Sequence, residues 1–180
     1  MINYHGQPQW QYVYSILEPL CEQTIISCNA EQSHIIPELY STLIDLPEYA
    51  DAGPMTALLS AFALHPNKNF LVVACDYPLI GHSELRSFID AASTARVAAA
   101  FFDDKENVYQ PVLAWYASSA APLLKLRYAN KQFSLLRFLE DEHATKYIPR
   151  NSSVIQSIDT PEESIRLRQS LPVNAKTYAS

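Results

Sequence analysis

An aspartate at the end of an apolar run is the residue of this chain best placed to do chemistry. Phe70 to Ala74 forms a continuous apolar stretch, followed by Cys75, Asp76, Tyr77 and Pro78. Apolar residues without alternation suit a strand covered on both faces, as in the parallel sheet of an α/β domain. Pro78 has no N–H for the ladder, so pairing is expected to stop near Asp76. Ligands of open α/β sheets bind beyond the carboxyl ends of the strands. A carboxylate there can hold a hard cation or a polar substrate. The competing reading, to which the segment alone leans, is an aspartate that caps the following turn or helix.

Other residue types narrow the chemistry. Cys21, Cys28 and Cys75 are odd in number, lie in apolar surroundings and lack close paired spacing, which predicts reduced buried thiols rather than disulfides or a zinc site. His5, His34, His65, His82 and His143 show no metal-ligand spacing. A net charge of −6 without a Lys/Arg cluster argues against nucleic-acid binding, which depends on neutralising phosphates. Neither a membrane-length apolar run nor an export signal is visible, so a cytoplasmic protein is expected. With 180 residues, 48% of them hydrophobic, the chain is large enough for one domain with a real core.

The elements that would position Asp76 alternate. Helical spacing of Tyr12, Val13, Ile16, Leu17 and Leu20 predicts a helix over 9–21 with a kink or early stop at Pro19, and 24–28 reads as a buried strand. A short helix interrupted at Pro37 is expected in 31–40, a strand over 41–45, and a helix over 55–64 entered through Gly53-Pro54. Beyond Asp76, the pattern predicts a helix over 83–92 capped by Ser83 and strands over 97–102 and 108–116, paired antiparallel across the polar turn 103–107. Helices over 120–128 and 134–140, a last strand over 154–158 and a final helix from Thr160-Pro161-Glu162-Glu163 complete the chain, with a loose tail over 172–180. Such a succession is α/β.

Several segments, in order, resemble the molybdenum cofactor guanylyltransferases, a family within the broader nucleotidyltransferases. Tyr4-His5-Gly6-Gln7-Pro8 resembles its Asn-Gly-Lys-Pro-Leu segment, and Ile25-Ile26-Ser27-Cys28-Asn29 its second strand near the guanine. Gly53-Pro54-Met55-Thr56-Ala57 resembles its Gly-Pro-Leu-Ala-Gly turn, and Ala74-Cys75-Asp76-Tyr77-Pro78 its Cys-Asp-X-Pro motif. Ser157-Ile158-Asp159-Thr160-Pro161-Glu162 resembles its Asn-Val-Asn-Thr-Pro-Glu segment. Each alone is common, but the Gly-Pro turn followed at this distance by Cys-Asp-X-Pro is discriminating. The resemblance implies a three-layer, Rossmann-like nucleotidyltransferase domain over 1–171, with a mostly parallel sheet carrying one antiparallel strand. It also implies transfer of GMP from GTP to molybdopterin with release of pyrophosphate.

On this resemblance Asp76 becomes a ligand for Mg²⁺, which takes a carboxylate, phosphate oxygens and waters. Asp159 stands where the family usually has an amide, as a second metal ligand or, more simply, a cap of the final helix. Ser27 and Asn29 lie at a strand end suited to reading a base edge, although Ser27 replaces an amide. Asp45 sits near the family's guanine-binding acid, and a carboxylate can accept from both N1 and N2 of guanine. The alternative is a solvent-facing acid at a strand end. Gly53 and Pro54 let backbone approach the nucleotide or simply form a turn. Gln110-Pro111-Val112 and Ser134 to Leu139 resemble segments forming the core and acceptor wall on the pterin side.

The family opens with a strand and a glycine-rich phosphate loop carrying Arg and Lys, and this sequence contains neither. Only Gly6, Gly53 and Gly81 are present, so no other segment supplies such a cradle. In the family that first strand lies inside the sheet, between the strands holding Ile25 and Val73. Without it, two apolar strand edges are expected to stand open. A start codon placed too late, a fragment of a longer gene and a shortened non-catalytic relative are the explanations, in that order. Activity of the chain by itself is therefore expected to be impaired. The alternatives are a non-catalytic module binding cofactor-maturation proteins, or a nucleotidyltransferase using a sugar phosphate or another phosphate acceptor.

Overall fold

The computed structural model describes residues 4–158. The strands form two sheets. In the smaller, β1 (Ile26–Cys28) pairs parallel with β2 (Thr42–Ile44), with Ser27 opposite Leu43. In the larger, β3 (Phe70–Val73), β5 (Val108–Tyr116), β4 (Ala98–Asp103) and β6 (Thr145–Tyr147) lie side by side in that order. β5 is antiparallel to both β3 and β4, whereas β4 and β6 are parallel. β3, β4 and β6 thus share one direction, with β5 reversed between them.

Alternation along the strands divides the core into two faces. Ala98, Ala100 and Phe102, with Ala114 and Tyr116, pack against α3 (Pro54–Leu64), α5 (Ala120–Ala129) and α6 (Leu135–Asp141). Ala99, Phe101 and Leu113 face α1 (Gln9–Leu17) and α4 (His82–Ala92). α4 buries Leu85, Phe88 and Ala92, three positions on one helical face. The result is the three-layer α/β arrangement that the sequence implied.

β3 is an end strand. Its four residues are only half-buried, because its far edge lacks a partner strand among the described residues. α3 and α1 bridge that side. α3 sets Phe62 against Phe70 of β3 with ring centroids 4.9 Å apart, while its Ser60 hydroxyl accepts from the Leu46 N–H beyond β2 at 2.9 Å. On the other face, α1 reaches Tyr40 through a 2.8 Å bond from the Gln11 amide and reaches Ile80 through a 3.1 Å bond from the Tyr12 hydroxyl. The β1–β2 pair therefore lies off the open edge of β3, held to it by helices above and below rather than by a ladder. Among the described residues the edge of β3 stands open, as the sequence reading expected.

Local readings differ in places. The sequence of Gln9–Leu17 forms one helix, and Pro19 turns the next residues, Glu18–Leu20, into a 3₁₀ turn. The helix expected in 31–40 is only α2 (Ala30–Ser33). Gly81, not Ser83, caps α4. The strand expected over 154–158 is a 3₁₀ turn, Ser152–Ile155, because the Asn151 side chain accepts from the Ser153 N–H and starts a turn there. β6 was not anticipated. All three cysteines are free as expected, but only Cys28 is buried: Cys21 is half-buried and Cys75 exposed. The helix expected from Thr160 and the tail lie outside the described residues.

One polar group sits badly in α1. Gln9, Val13 and Leu17 form its buried stripe, and Gln9 is 4% exposed with neither Oε1 nor Nε2 hydrogen-bonded among the described residues. A buried unsatisfied donor or acceptor costs about 1–3 kcal/mol. Gln9→Leu keeps the volume and removes both groups, so it is expected to stabilise the fold by about that amount, seen as a rise of roughly 2–4 °C in Tm per kcal/mol. An unchanged or lower Tm would show that the amide has found a partner in solution.

Candidate active site

The parallel pair β1–β2 brings three of the sequence-predicted residues together at its carboxyl ends. Ser27 lies in β1, Asn29 one residue beyond it and Asp45 one beyond β2, where the Asp45 N–H donates to the Cys28 carbonyl at 3.2 Å. The Ser27 hydroxyl donates to Asp45 Oδ1 at 3.4 Å. Partial burial raises the Asp45 carboxyl above its ordinary range, and the Ser27 hydroxyl offsets part of that shift. Asn29 carries a second duty: its Oδ1 accepts from the Gln32 N–H at 2.8 Å while the Gln32 side chain accepts from the Asn29 N–H, a capping box that starts α2. Among the described residues this capping box uses the Asn29 Oδ1 and backbone N–H, not its amide nitrogen.

Gly53 and Pro54 open α3. Gly53 adopts φ 57° and ψ −136°, a conformation strained for any residue with a Cβ, while Pro54 occupies the first helical turn. Both are exposed, so the backbone here is open to a ligand.

Asp76 follows the carboxyl end of β3. Pairing in the strand ends at Val73, opposite Leu113, and one further bond from the Ala74 N–H to the Val112 carbonyl at 2.9 Å holds the chain to β5. Regular pairing therefore stops earlier than Pro78 alone would require. The segment after Asp76 is anchored on both sides: His5 Nε2 lies 2.8 Å from the Pro78 carbonyl, and the Tyr77 hydroxyl donates to Gln110 Oε1 at 3.0 Å. The Ile158 N–H donates to the Asp76 carbonyl at 2.9 Å, so the end of the described chain also meets this point. Asp76 Oδ1 is buried. Although Cys75 as a residue is exposed, its thiol, packed beside protein atoms and away from bulk water, is pushed up to about 11 by that desolvation and by the Asp76 charge, so it stays protonated at neutral pH.

The donor set bears on what such a carboxylate can hold. The described residues contain no group of three or more His, Cys, Asp or Glu side chains able to enclose a metal. A single carboxylate at a strand end suits Mg²⁺, which takes one or two protein oxygens and fills its remaining positions with phosphate oxygens and water. Asp159, the second expected ligand, falls outside the described residues. α1 contacts Tyr40, before β2, and Ile80, after Asp76, and so ties the β1–β2 pair to the segment that follows β3. The Tyr77–Gln110 bond had no local signal in the sequence.

Comparison with known proteins bears on the family and the fold. The model of the MobA-like NTP transferase domain matches residues 1–145. A molybdenum cofactor biosynthesis bifunctional protein of Synechocystis sp. is 29% identical over 164 residues, 91% of this chain, which spans 47% of that relative's length. A molybdenum cofactor guanylyltransferase of Pseudomonas putida is 24% identical over 77% of this chain and 71% of its own. Among solved structures, molybdopterin-guanine dinucleotide biosynthesis protein A of Archaeoglobus fulgidus superposes with a TM-score of 0.71 at 20% identity, covering 92% of this chain and 86% of that one. That likeness bears on the fold.

Proposed function

Since the chain belongs to the MobA-like NTP transferase domain family, we propose that it binds GTP and serves transfer of GMP to the phosphate of molybdopterin in molybdenum cofactor biosynthesis. The observation that carries this reading is that polar side chains stand at the carboxyl ends of parallel-running strands in both sheets. Ser27, Asn29 and Asp45 stand at the ends of β1 and β2, and Asp76 stands beyond the end of β3. In the reaction an oxygen of the acceptor phosphate attacks the α-phosphorus of GTP. The bond to the α,β-bridging oxygen breaks, and pyrophosphate leaves with the electron pair.

Positioning and charge neutralisation supply most of such catalysis. The chain's own residues divide that work. Asp45 accepts from the N1 and N2 donors of guanine, Ser27 orients its carboxylate, and the Asn29 amide nitrogen donates to the base edge. Gly53 leaves backbone open beside the nucleotide. Asp76 and Asp159 are the carboxylates offered to Mg²⁺, which when bound neutralises phosphate charge and fixes the geometry of the phosphates.

Asp45→Asn tests the base assignment. A carboxyl whose pKa rises on folding binds its proton more tightly in the folded state. That stabilisation is full below its unfolded pKa of about 3.9 and is lost as pH rises through the higher folded value. At pH 7 the carboxylate opposes folding slightly, so Asp45→Asn is expected to keep or raise Tm there and to lose that advantage toward pH 4. Its GTP affinity should nevertheless fall about tenfold or more, as for loss of a charge-assisted hydrogen bond, while CTP affinity stays unchanged. Equal competition by CTP and GTP in the unmutated chain would remove guanine from the reading.

The glycine content favours a second reading beside it. With three glycines and no glycine-rich loop in the sequence, the chain holds the base and metal ends of a nucleotide site without a triphosphate cradle. A binding module for cofactor-maturation proteins fits that composition, and binding of such a protein without any GTP affinity would select it.

A further inference from the structure

The segment that carries Asp76 is held at alternate residues from different parts of the fold. The Ala74 N–H donates to the Val112 carbonyl of β5, and the Ile158 N–H donates to the Asp76 carbonyl, both at 2.9 Å. Beyond Asp76 the chain closes on itself, with the Ile80 N–H donating to the Tyr77 carbonyl at 3.3 Å. The side chains of that turn are deeply packed, Tyr77 being 4% exposed and Ile80 fully buried. Carbonyls in such a setting need donors, and those of Pro78 and Ile80 receive them from two side chains. His5 Nε2 lies 2.8 Å from the Pro78 oxygen, and the Tyr12 hydroxyl donates to the Ile80 oxygen at 3.1 Å. Chemistry fixes both directions, because a carbonyl oxygen accepts and cannot donate, so His5 carries a proton on Nε2. The two rings are stacked with centroids 3.7 Å apart and planes 18° from parallel, so each limits the movement of the other. Burial pushes the Tyr12 phenol up from its ordinary value, which keeps its proton in place.

We propose that His5 and Tyr12 are positioning residues for the cation: as a stacked pair they clamp the 78–80 turn and so fix the backbone that presents Asp76. The inference rests on the transferase reading above, in which Asp76 is the carboxylate offered to Mg²⁺. On the side of β3 the Ala74–Val112 bond anchors the chain two residues before Asp76, and the clamp anchors it two and four residues after. A carboxylate on a loose loop must be ordered when the ion arrives, and that ordering weakens binding. One whose backbone is pinned on both sides beforehand escapes most of that cost. The clamp also has a second anchorage, because Gln11, next to Tyr12 in α1, donates to the Tyr40 hydroxyl at 2.8 Å. Adjacent residues of one helix therefore hold the β1–β2 side and the Asp76 side.

Three variants separate positioning from plain stability. Tyr12→Phe keeps the ring and loses the hydroxyl, His5→Leu loses the donor, and His5→Gln places an amide N–H near the position of Nε2. Each, with the unmutated chain, is titrated with GTP in EDTA and at a series of Mg²⁺ concentrations, with Tm recorded. The Mg²⁺ concentration that half-saturates the gain in GTP affinity is expected to rise about threefold to tenfold in Tyr12→Phe and His5→Leu, the range for one hydrogen bond. In His5→Gln it should stay within about twofold, and GTP affinity in EDTA should stay within about twofold in all three. A lowered Tm with unchanged Mg²⁺ half-saturation would make the pair purely structural and overturn the proposal. A parallel loss of affinity in EDTA, or a His5→Gln variant no better than His5→Leu, overturns it as well. In each of those outcomes the unmutated chain still binds Mg²⁺–GTP, so the transferase reading stands. Absence of GTP binding in the unmutated chain overturns both. If His5→Leu fails to fold, Tyr12→Phe decides, since it removes a single oxygen and keeps the stacked ring.

Discussion

Asp76→Asn is expected to abolish Mg²⁺-dependent nucleotide binding while leaving the fold in place. The substitution changes charge and little volume at the end of β3, and the backbone that anchors the position bonds through groups it does not alter: the Ala74 N–H to the Val112 carbonyl and the Ile158 N–H to the Asp76 carbonyl. A hard cation held by one carboxylate and substrate phosphates loses that charged ligand, and no group of three or more ligating side chains among the described residues replaces it. GTP affinity in Mg²⁺ should fall to the level seen in EDTA, a drop of at least tenfold, with Tm within a few degrees of the unmutated chain. Retention of a Mg²⁺-dependent component in Asp76→Asn would place the cation elsewhere.

A second large effect is expected at the open edge of β3. Phe70, Leu71, Val72 and Val73 are apolar yet half-buried, and on that side α1 and α3 tie in the β1–β2 pair, with no strand ladder to it among the described residues. Fusing ahead of residue 1 an apolar strand, followed by a glycine-rich loop with Arg and Lys, would let main-chain bonds join the two sheets. Each apolar side chain buried there contributes about 1.5–3 kcal/mol and each ladder bond about 0.5–1.5 kcal/mol. Ordering each residue costs about 1–2 kcal/mol. A five-residue strand then gains several kcal/mol, and at roughly 2–4 °C per kcal/mol Tm should rise by about 10 °C. GTP affinity should rise with it, because the loop surrounds triphosphate with N–H groups. A fused strand of alternating charged residues should give neither gain. No change in Tm with the apolar strand would mean that the edge of β3 does not accept a partner.

Much of the fold was legible because its signals are local. The apolar run 70–74, the Gly53-Pro54 entry to α3 and the turn between β4 and β5 each announce themselves within a few residues; the structure places the last two as read, whereas the run, read as a strand covered on both faces in a parallel sheet, is a half-buried strand paired antiparallel with β5. Short-range competition explains the misses. Val154 and Ile155 look like the start of a strand, but Asn151 begins a turn that the apolar pair then completes. Thr145-Lys146-Tyr147 carries too few apolar residues to declare β6, which exists because Ala99, Ala100 and Phe101 offer it an edge. Lys146 then lies over the Phe102 ring, 3.7 Å from its centroid, a contact made only across strands.

The candidate site was legible in its residue types rather than in its pairings. Asp76 could be located because a strand end and a proline bracket it, and Ser27, Asn29 and Asp45 because each stands at the end of a short apolar run. That Asn29 is shared with a capping box follows from Gln32, three residues on, and was open to sequence reading. The link from Tyr77 to Gln110 was not, because the two are brought together by the β3–β5 register, which depends on how strands far apart in the chain align.

The central claim is that the ends of β1, β2 and β3 form one guanine-nucleotide site, and calorimetric titration of the chain with GTP tests it most directly. Run in Mg²⁺, in EDTA and against CTP, it should show saturable GTP binding that requires the cation and exceeds CTP binding. Binding that is absent for GTP, or indifferent to both cation and base, would contradict it.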